Sequence, residues 1–330
     1  MYTIKNKIFN LSSENEFIDL ALKIFNFQLL NNTVYSNWVK MLKVNPDKVR
    51  TLEQIPFLPI EFFKTKKIIS SPLSSETVEF TSSATTSQTP AKHYVNDVLL
   101  YQKSFSNCFN LFYGSPADYC ILALLPNYLQ RKGSSLVYMC NQLINESTHP
   151  FSGFFLDNTD DLIFRINELK QTNQKVILIG VSYALIDLCE KGAILNENFI
   201  VMETGGMKGT RKEMLKSELH NFLKNGFAVN TIHSEYGMTE LLSQAYSKGH
   251  GLFESPPWMK FLIREIDDPL KIKIDGRTGG INVIDLANIN SCSFIATKDL
   301  GKLSHDNKLE LMGRYDYSDV RGCNLMMANY

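Results

Sequence analysis

The sequence predicts an α/β fold, in which parallel strands are flanked by helices and followed by a β-rich C-terminal part. Three observations predict it. From about residue 95, the apolar runs Tyr119–Leu125, Lys175–Gly180, Phe199–Met202 and Val229–Ile232 alternate with amphipathic stretches. That alternation is the pattern of a parallel sheet covered by helices. After Lys260 the pattern changes to short strands and turns, over Lys271–Ile274, Ile281–Ile284, Ser293–Ala296 and Leu309–Met312. Finally, 330 residues with 44% hydrophobic and 21% charged suffice for one large α/β domain or two modest ones with a sizeable core.

In chain order, Ser13 and Glu16 have the spacing of a capping box, and Phe17, Leu20, Ala21, Ile24 and Phe25 follow at helical spacing. The stretch Ile55–Phe63, rich in proline and aromatics, reads as packed loop. Thr77–Phe80 is a short strand that runs into a hydroxyl-dense stretch, Thr81–Thr89. Ser182 is placed to cap the helix after Lys175–Gly180. Met214, Leu215, Leu219, Phe222 and Leu223 mark another helix, with Asn225-Gly226 as its stop signal. The expected organisation is a helical lead-in over 1–75, packed on the main domain, an α/β core over 76–260 and a β-rich subdomain over 261–330.

Lys plus Arg and Asp plus Glu each number 34, so net charge is zero, which argues against a general nucleic-acid or membrane-surface binder. The N-terminus lacks the apolar stretch of a secretory signal, and the longest weakly polar run, Val176–Leu188, is too short to span a bilayer. The cytoplasm is the expected compartment. Six scattered cysteines, without a C-x-x-C pair, read as reduced and mostly buried thiols.

Five segments carry groups suited to chemistry. In Thr81–Lys92, seven of the first nine residues bear hydroxyls, and a lysine ends the run. Such a turn offers N–H groups, hydroxyls and an ammonium to a polyanion, though taken alone it reads better as a solvated loop. Glu203–Gly209 follows a strand, where open α/β sheets bind ligands, and its paired glycines let backbone approach a flat ring. A plain strand-to-helix turn has the same look. Ser234–Glu240 lies just past another strand. It offers Tyr236 for stacking on a base and Glu240 for Mg²⁺ beside phosphate oxygens. His233 is a hydrogen-bonded wall residue rather than a metal ligand, since no P-C-x-x-C follows His233-Ser-Glu235. In Thr297–Gly301, Asp299 in a strand-end turn suits ribose hydroxyls or a simple Asx-turn. In Gly313–Cys323, Arg314 can reach ribose or phosphate. Arg321 beside Cys323 favours a thiolate, and a buried small residue is the alternative there.

The order and spacing of these segments resemble the adenylate-forming superfamily. Ile55-Pro-Phe-Leu-Pro, Leu125–Met139, Glu203–Lys208 and Arg321-Gly-Cys-Asn324 resemble, within it, the acyl-protein synthetases of the bacterial bioluminescence fatty-acid reductase complex. The likeness covers most of residues 50–330, and Tyr-Gly-Met-Thr-Glu and Arg-Gly-Cys are its most specific parts. It implies the large N-terminal domain of that superfamily, without a full C-terminal lid domain. It implies that Ser82, Ser83, Thr85, Thr86 and Lys92 cradle phosphates. Gly205, Gly206 and Tyr236, with Gly237, would face adenine, and Thr239 and Glu240 would sit by the α-phosphate and Mg²⁺. Asp299 and Arg314 would bind ribose, and Cys323 would take the acyl group. This chain has Ala84 and Ser87 where the superfamily loop has glycines, and it stops shortly after Arg314, before the lid lysine of most relatives.

The implied activity uses ATP and Mg²⁺ to convert a carboxylic acid, fatty or otherwise apolar, into an acyl adenylate. A thiol, Cys323 itself, then takes the acyl group, for an acyl reductase, acyltransferase or carrier-protein partner. Lys92, Glu240 and Cys323 are the expected catalytic residues. Two alternatives stay open: a ligase to coenzyme A or a carrier protein without Cys323, and a degenerate adenylate-binding scaffold.

Overall fold

The structure, a computed structural model, describes residues 2–82, 89–126, 133–205, 214–266, 268, 270–273 and 276–314. The chain divides into two compact units, one of residues 63–67 and 71–256, the other of residues 1–62, 68–70 and the chain from 257 onward.

The first unit is α/β. Among the described residues its main sheet runs in the order Gly153–Phe154, Tyr119–Leu124, Lys175–Val181, Phe199–Thr204, Ile232–Tyr236, Ala245–Ser247. Every neighbouring pair is parallel except the last. Tyr119–Leu124 is buried along its whole length, so it reads as an unbroken apolar run rather than an alternating one. Leu122, Leu178, Val201 and Ile232 share one core cluster with Leu185, Leu188, Leu223 and Phe227 of the covering helices Ser182–Glu190 and Lys216–Phe227. Truncating Leu178 to Ala would cost about 2–5 kcal/mol. A separate antiparallel hairpin pairs Val78–Thr81 with Lys92–Val95.

Several expected boundaries move, each for a local reason. The helix over Lys216–Phe227 runs through Gly226, where a Cβ would overlap the Cys189 sulfur of the neighbouring helix. Its end comes at Ala228, in the left-handed conformation with φ 58°. Met214 and Leu215 precede the helix and are exposed. Val229 is taken up by that cap through a 3.1 Å hydrogen bond to the Lys224 carbonyl, so the next strand is Ile232–Tyr236 rather than Val229–Ile232. Ser182 does not cap its helix. Val181 holds the cap position, and the Ser182 hydroxyl donates to the Gly205 carbonyl at 3.1 Å.

In the second unit the strands Met259–Arg264, Gly279–Asp285, Phe294–Leu303 and Leu309–Arg314 form an antiparallel sheet. Within Ile55–Phe63, expected as loop, Leu58 and Pro59 pair in parallel with Ile295 and Ala296. The helix Glu14–Asn31 begins at Ser13, whose hydroxyl accepts from the Glu16 N–H at 3.3 Å. It is fastened by fully buried Gln28, whose amide donates to the Asn288 and Ile289 carbonyls at 3.1 and 2.9 Å and accepts from the Ser293 N–H at 3.0 Å. Among the described residues no helix is long and apolar enough to cross a membrane. Cys108, Cys120, Cys140, Cys189 and Cys292 are buried free thiols, in line with the reduced cysteines expected.

Candidate active site

The hydroxyl-rich run lies in sequence between the paired strands Val78–Thr81 and Lys92–Val95. Its neck is fixed by two hydrogen bonds, from the Ala91 N–H to the Ser82 hydroxyl at 2.9 Å and from the Ser82 N–H to the Ala91 carbonyl at 3.0 Å. Lys92 lies opposite Thr81 and its ammonium rests on Glu79 at 3.0 Å, both side chains being exposed. The hydrogen bond and charge of Glu79 hold the Lys92 pKa above its ordinary value. Glu79 is a partner the sequence reading missed, although it shares one face of the hairpin with Lys92. Ser83, Thr85 and Thr86, and the departures Ala84 and Ser87, lie outside the described residues, as do Gly206 and Cys323.

Next to Lys92, His93 is buried, and its Nδ1 donates to the Thr239 carbonyl at 2.7 Å. The hairpin is thereby tied to the turn that carries Thr239 and Glu240. Glu240 itself is 7% exposed. Before that turn, Tyr236 ends the Ile232–Tyr236 strand with its ring edge-on to Phe253 at 5.9 Å. A Cβ at Gly237 would crowd the Glu235 carboxylate, which would have to shift to admit it. His233 packs at the side, with its Nδ1 3.1 Å from the Tyr113 hydroxyl, and burial lowers its pKa to about 4.

Gly205 follows the Phe199–Thr204 strand with φ +69°, a conformation that favours glycine. Just behind it and behind Tyr236 lie two buried carboxylates that the sequence reading did not single out. Glu203 accepts from Lys216 at 2.7 Å, with His220 Nε2 at 3.5 Å. Burial alone would raise its pKa, but the Lys216 charge and the hydrogen bonds of His220, Lys216 and Ser234 bring it down to about 2. Glu235 lies across from Thr204 and accepts its hydroxyl. Burial, reinforced by the Glu203 charge, raises its pKa to about 7. Carboxylates in the last residues of two adjacent strands were the available signal, since such residues are seldom fully buried without partners.

In the second unit, Asp299 faces Arg314 across paired strands, at 3.3 Å from the Arg314 Nε. Asp299 lies inside the Phe294–Leu303 strand rather than in the strand-end turn expected, beside a bulge at Leu300 and Gly301. Its N–H donates to the Thr297 hydroxyl at 3.1 Å. Arg264 braces the same region, donating to the Ile281 carbonyl at 2.7 Å and the Asn282 side chain at 2.9 Å.

A family model described as acyl-protein synthetase, LuxE, matches residues 5–330. The chain belongs to the LuxE acyl-protein synthetase family. It is therefore a ligase that activates an acid through its acyl adenylate. A long-chain-fatty-acid–luciferin-component ligase of Vibrio harveyi is 24% identical, over 92% of this chain and 85% of that protein. Among solved structures, a 2-hydroxyisobutyryl-CoA ligase in its postadenylation state matches 94% of this chain and 70% of its own, with TM-score 0.67 and 10% identity. ATP-bound MatB from Rhodopseudomonas palustris matches 72% of this chain with TM-score 0.53 and 15% identity, and the chain spans 47% of its length. These two likenesses show the adenylate-forming fold.

Among the described residues no three acidic, histidine or cysteine side chains gather to make a metal site. Glu240 offers a single carboxylate instead, which suits Mg²⁺, an ion that takes one or two carboxylates and completes its shell with phosphate and water. Among the described residues nothing lies within 4 Å of the position a Cβ at Gly205 would occupy.

Proposed function

We propose that this LuxE-family ligase activates a fatty or other apolar carboxylic acid with MgATP and passes the acyl group to its own Cys323. The observation that carries the reading is the 2.7 Å hydrogen bond from His93 to the Thr239 carbonyl, because it joins the neighbours of Lys92 and Glu240. A cation and a buried carboxylate on adjoining segments are what an anionic nucleotide with a divalent ion needs.

The chemical problem is repulsion between a carboxylate and a triphosphate. Catalysis therefore rests on charge and positioning. Lys92 leaves Glu79 for the phosphates, which the hairpin's hydroxyls and N–H groups also receive. Glu240 would hold Mg²⁺, which would supply further positive charge. Tyr236 and Gly205 flank the adenine, and Asp299 with Arg314 holds the ribose. A carboxylate oxygen then attacks the α-phosphorus, and the bond to pyrophosphate breaks. The Cys323 thiolate attacks the acyl carbonyl carbon of the resulting anhydride, AMP leaves, and a thioester remains.

A long-chain fatty acid is favoured because the name of the Vibrio harveyi relative specifies one. A reductase, acyltransferase or carrier protein would receive the acyl group, and the cytoplasm is the proposed compartment. The test is incubation with radiolabelled fatty acid and ATP, without coenzyme A. Hydroxylamine-labile label on wild type, lost in Cys323→Ser while ATP–pyrophosphate exchange persists, supports self-acylation. Exchange without label on the wild-type protein overturns Cys323 as acceptor and points to an external thiol.

A further inference from the structure

His93 occupies a costly place for an imidazole. It lies on the inner side of the Lys92–Val95 strand, between Ala91 and Val95, and all three are buried. An apolar residue there would need no polar partner, whereas a buried ring nitrogen does. The Nδ1 partner is the Thr239 carbonyl at 2.7 Å, from a segment 146 residues away. A carbonyl only accepts, so Nδ1 carries the hydrogen. Edge-on contact with Phe63, at 5.6 Å between ring centres, holds the imidazole in that orientation.

The consequence lies one residue away on each side. Lys92 precedes His93 on the hairpin, and Glu240 follows Thr239 in a turn closed by the Leu241 N–H on the Met238 carbonyl at 3.1 Å. A single ring thus links the segments of the two residues proposed to act on the phosphates. Glu79 holds Lys92 through an exposed ion pair, which water and salt weaken. The His93 hydrogen bond is directional and part-buried, its imidazole end enclosed, so it is the firmer constraint on hairpin position.

We propose that His93 is a positioning residue for adenylation, setting the separation of Lys92 and Glu240 through its Nδ1–H bond to the Thr239 carbonyl. The inference rests on the adenylation reading above. Ground-state binding of adenine and ribose involves other residues, so the effect falls on turnover more than on apparent ATP affinity. A misplacement near 1 Å costs about 100-fold in rate.

The test is ATP–pyrophosphate exchange with saturating fatty acid, in the full chain, for wild type and three variants. Thermal midpoints are measured in parallel. His93→Asn puts an N–H near the Nδ1 position, whereas His93→Gln carries its amide one bond further, near Nε2. His93→Phe keeps the ring against Phe63 and removes the donor. The expected result is a kcat loss of about 100-fold in the Phe and Gln variants, with KM for ATP changed less than threefold, and recovery to within about tenfold of wild type in Asn. Wild-type kcat in a folded Phe variant overturns the proposal. Should the Phe variant fail to fold, equal kcat in Asn and Gln overturns it instead. Absence of exchange in wild type with every acid tried is a different failure: it removes the adenylation reading and this inference with it.

Discussion

Glu203 and Lys216 meet at 2.7 Å, one fully enclosed and the other partly open to solvent, just behind the glycine turn assigned to adenine. Removing only the lysine would leave a buried charge without its main partner. Lys216→Met should destabilise the protein by about 3 kcal/mol, the low end for a broken buried pair because Lys216 is partly exposed. Glu203→Gln in the same background should restore much of that loss. Urea denaturation at neutral pH of the single and double variants checks it.

The neighbouring pair titrates in opposite directions. Glu235 has a folded pKa raised to about 7, so its contribution to stability is present below its unfolded value near 4.5 and is lost as pH rises through 7. Between pH 6 and pH 8 that loss is on the order of 1 kcal/mol. Glu203, lowered to about 2, contributes above 4.5 and loses its contribution as pH falls through 2. Glu235→Gln should flatten the stability profile between pH 6 and pH 8 while leaving the acid limb in place. Denaturant titrations across pH 2–8 read both limbs.

Asp299 is mounted on a strand braced by Thr297 and Arg264, so its carboxylate can change without unravelling the sheet. Asp299→Asn should raise KM for ATP by about tenfold, the loss of a charge-assisted hydrogen bond, with kcat changed much less. Steady-state exchange kinetics over a range of ATP concentrations separate the two parameters.

Legibility differed between the two units for physical reasons. Tyr119–Leu124 and Lys175–Val181 announced themselves because a strand buried on both faces must be apolar throughout. The Ile232–Tyr236 strand was misplaced because its middle is His233, Ser234 and Glu235, polar residues satisfied by partners elsewhere in the chain. Asp299 read as a turn residue because an aspartate inside a strand is unusual, and its Arg314 partner lies across the sheet on the next strand. Gln28 had no visible role in the sequence, since its three carbonyl and N–H partners lie about 260 residues away. Within the site, the side chains legible in the sequence are those on glycine-rich or hydroxyl-rich turns, where local composition signals function. His93, Lys216 and Glu235 act through distant contacts and leave no local signature.

The most direct measurement is fatty-acid-dependent ATP–pyrophosphate exchange by wild type, Lys92→Ala, Glu240→Ala and the double variant. Loss of one such charged contact typically costs about 100- to 1000-fold in rate. Each single variant should fall by that order, and the double should fall less than the product of the two, because both groups act on one phosphate chain. Undiminished exchange in the double variant would contradict the account.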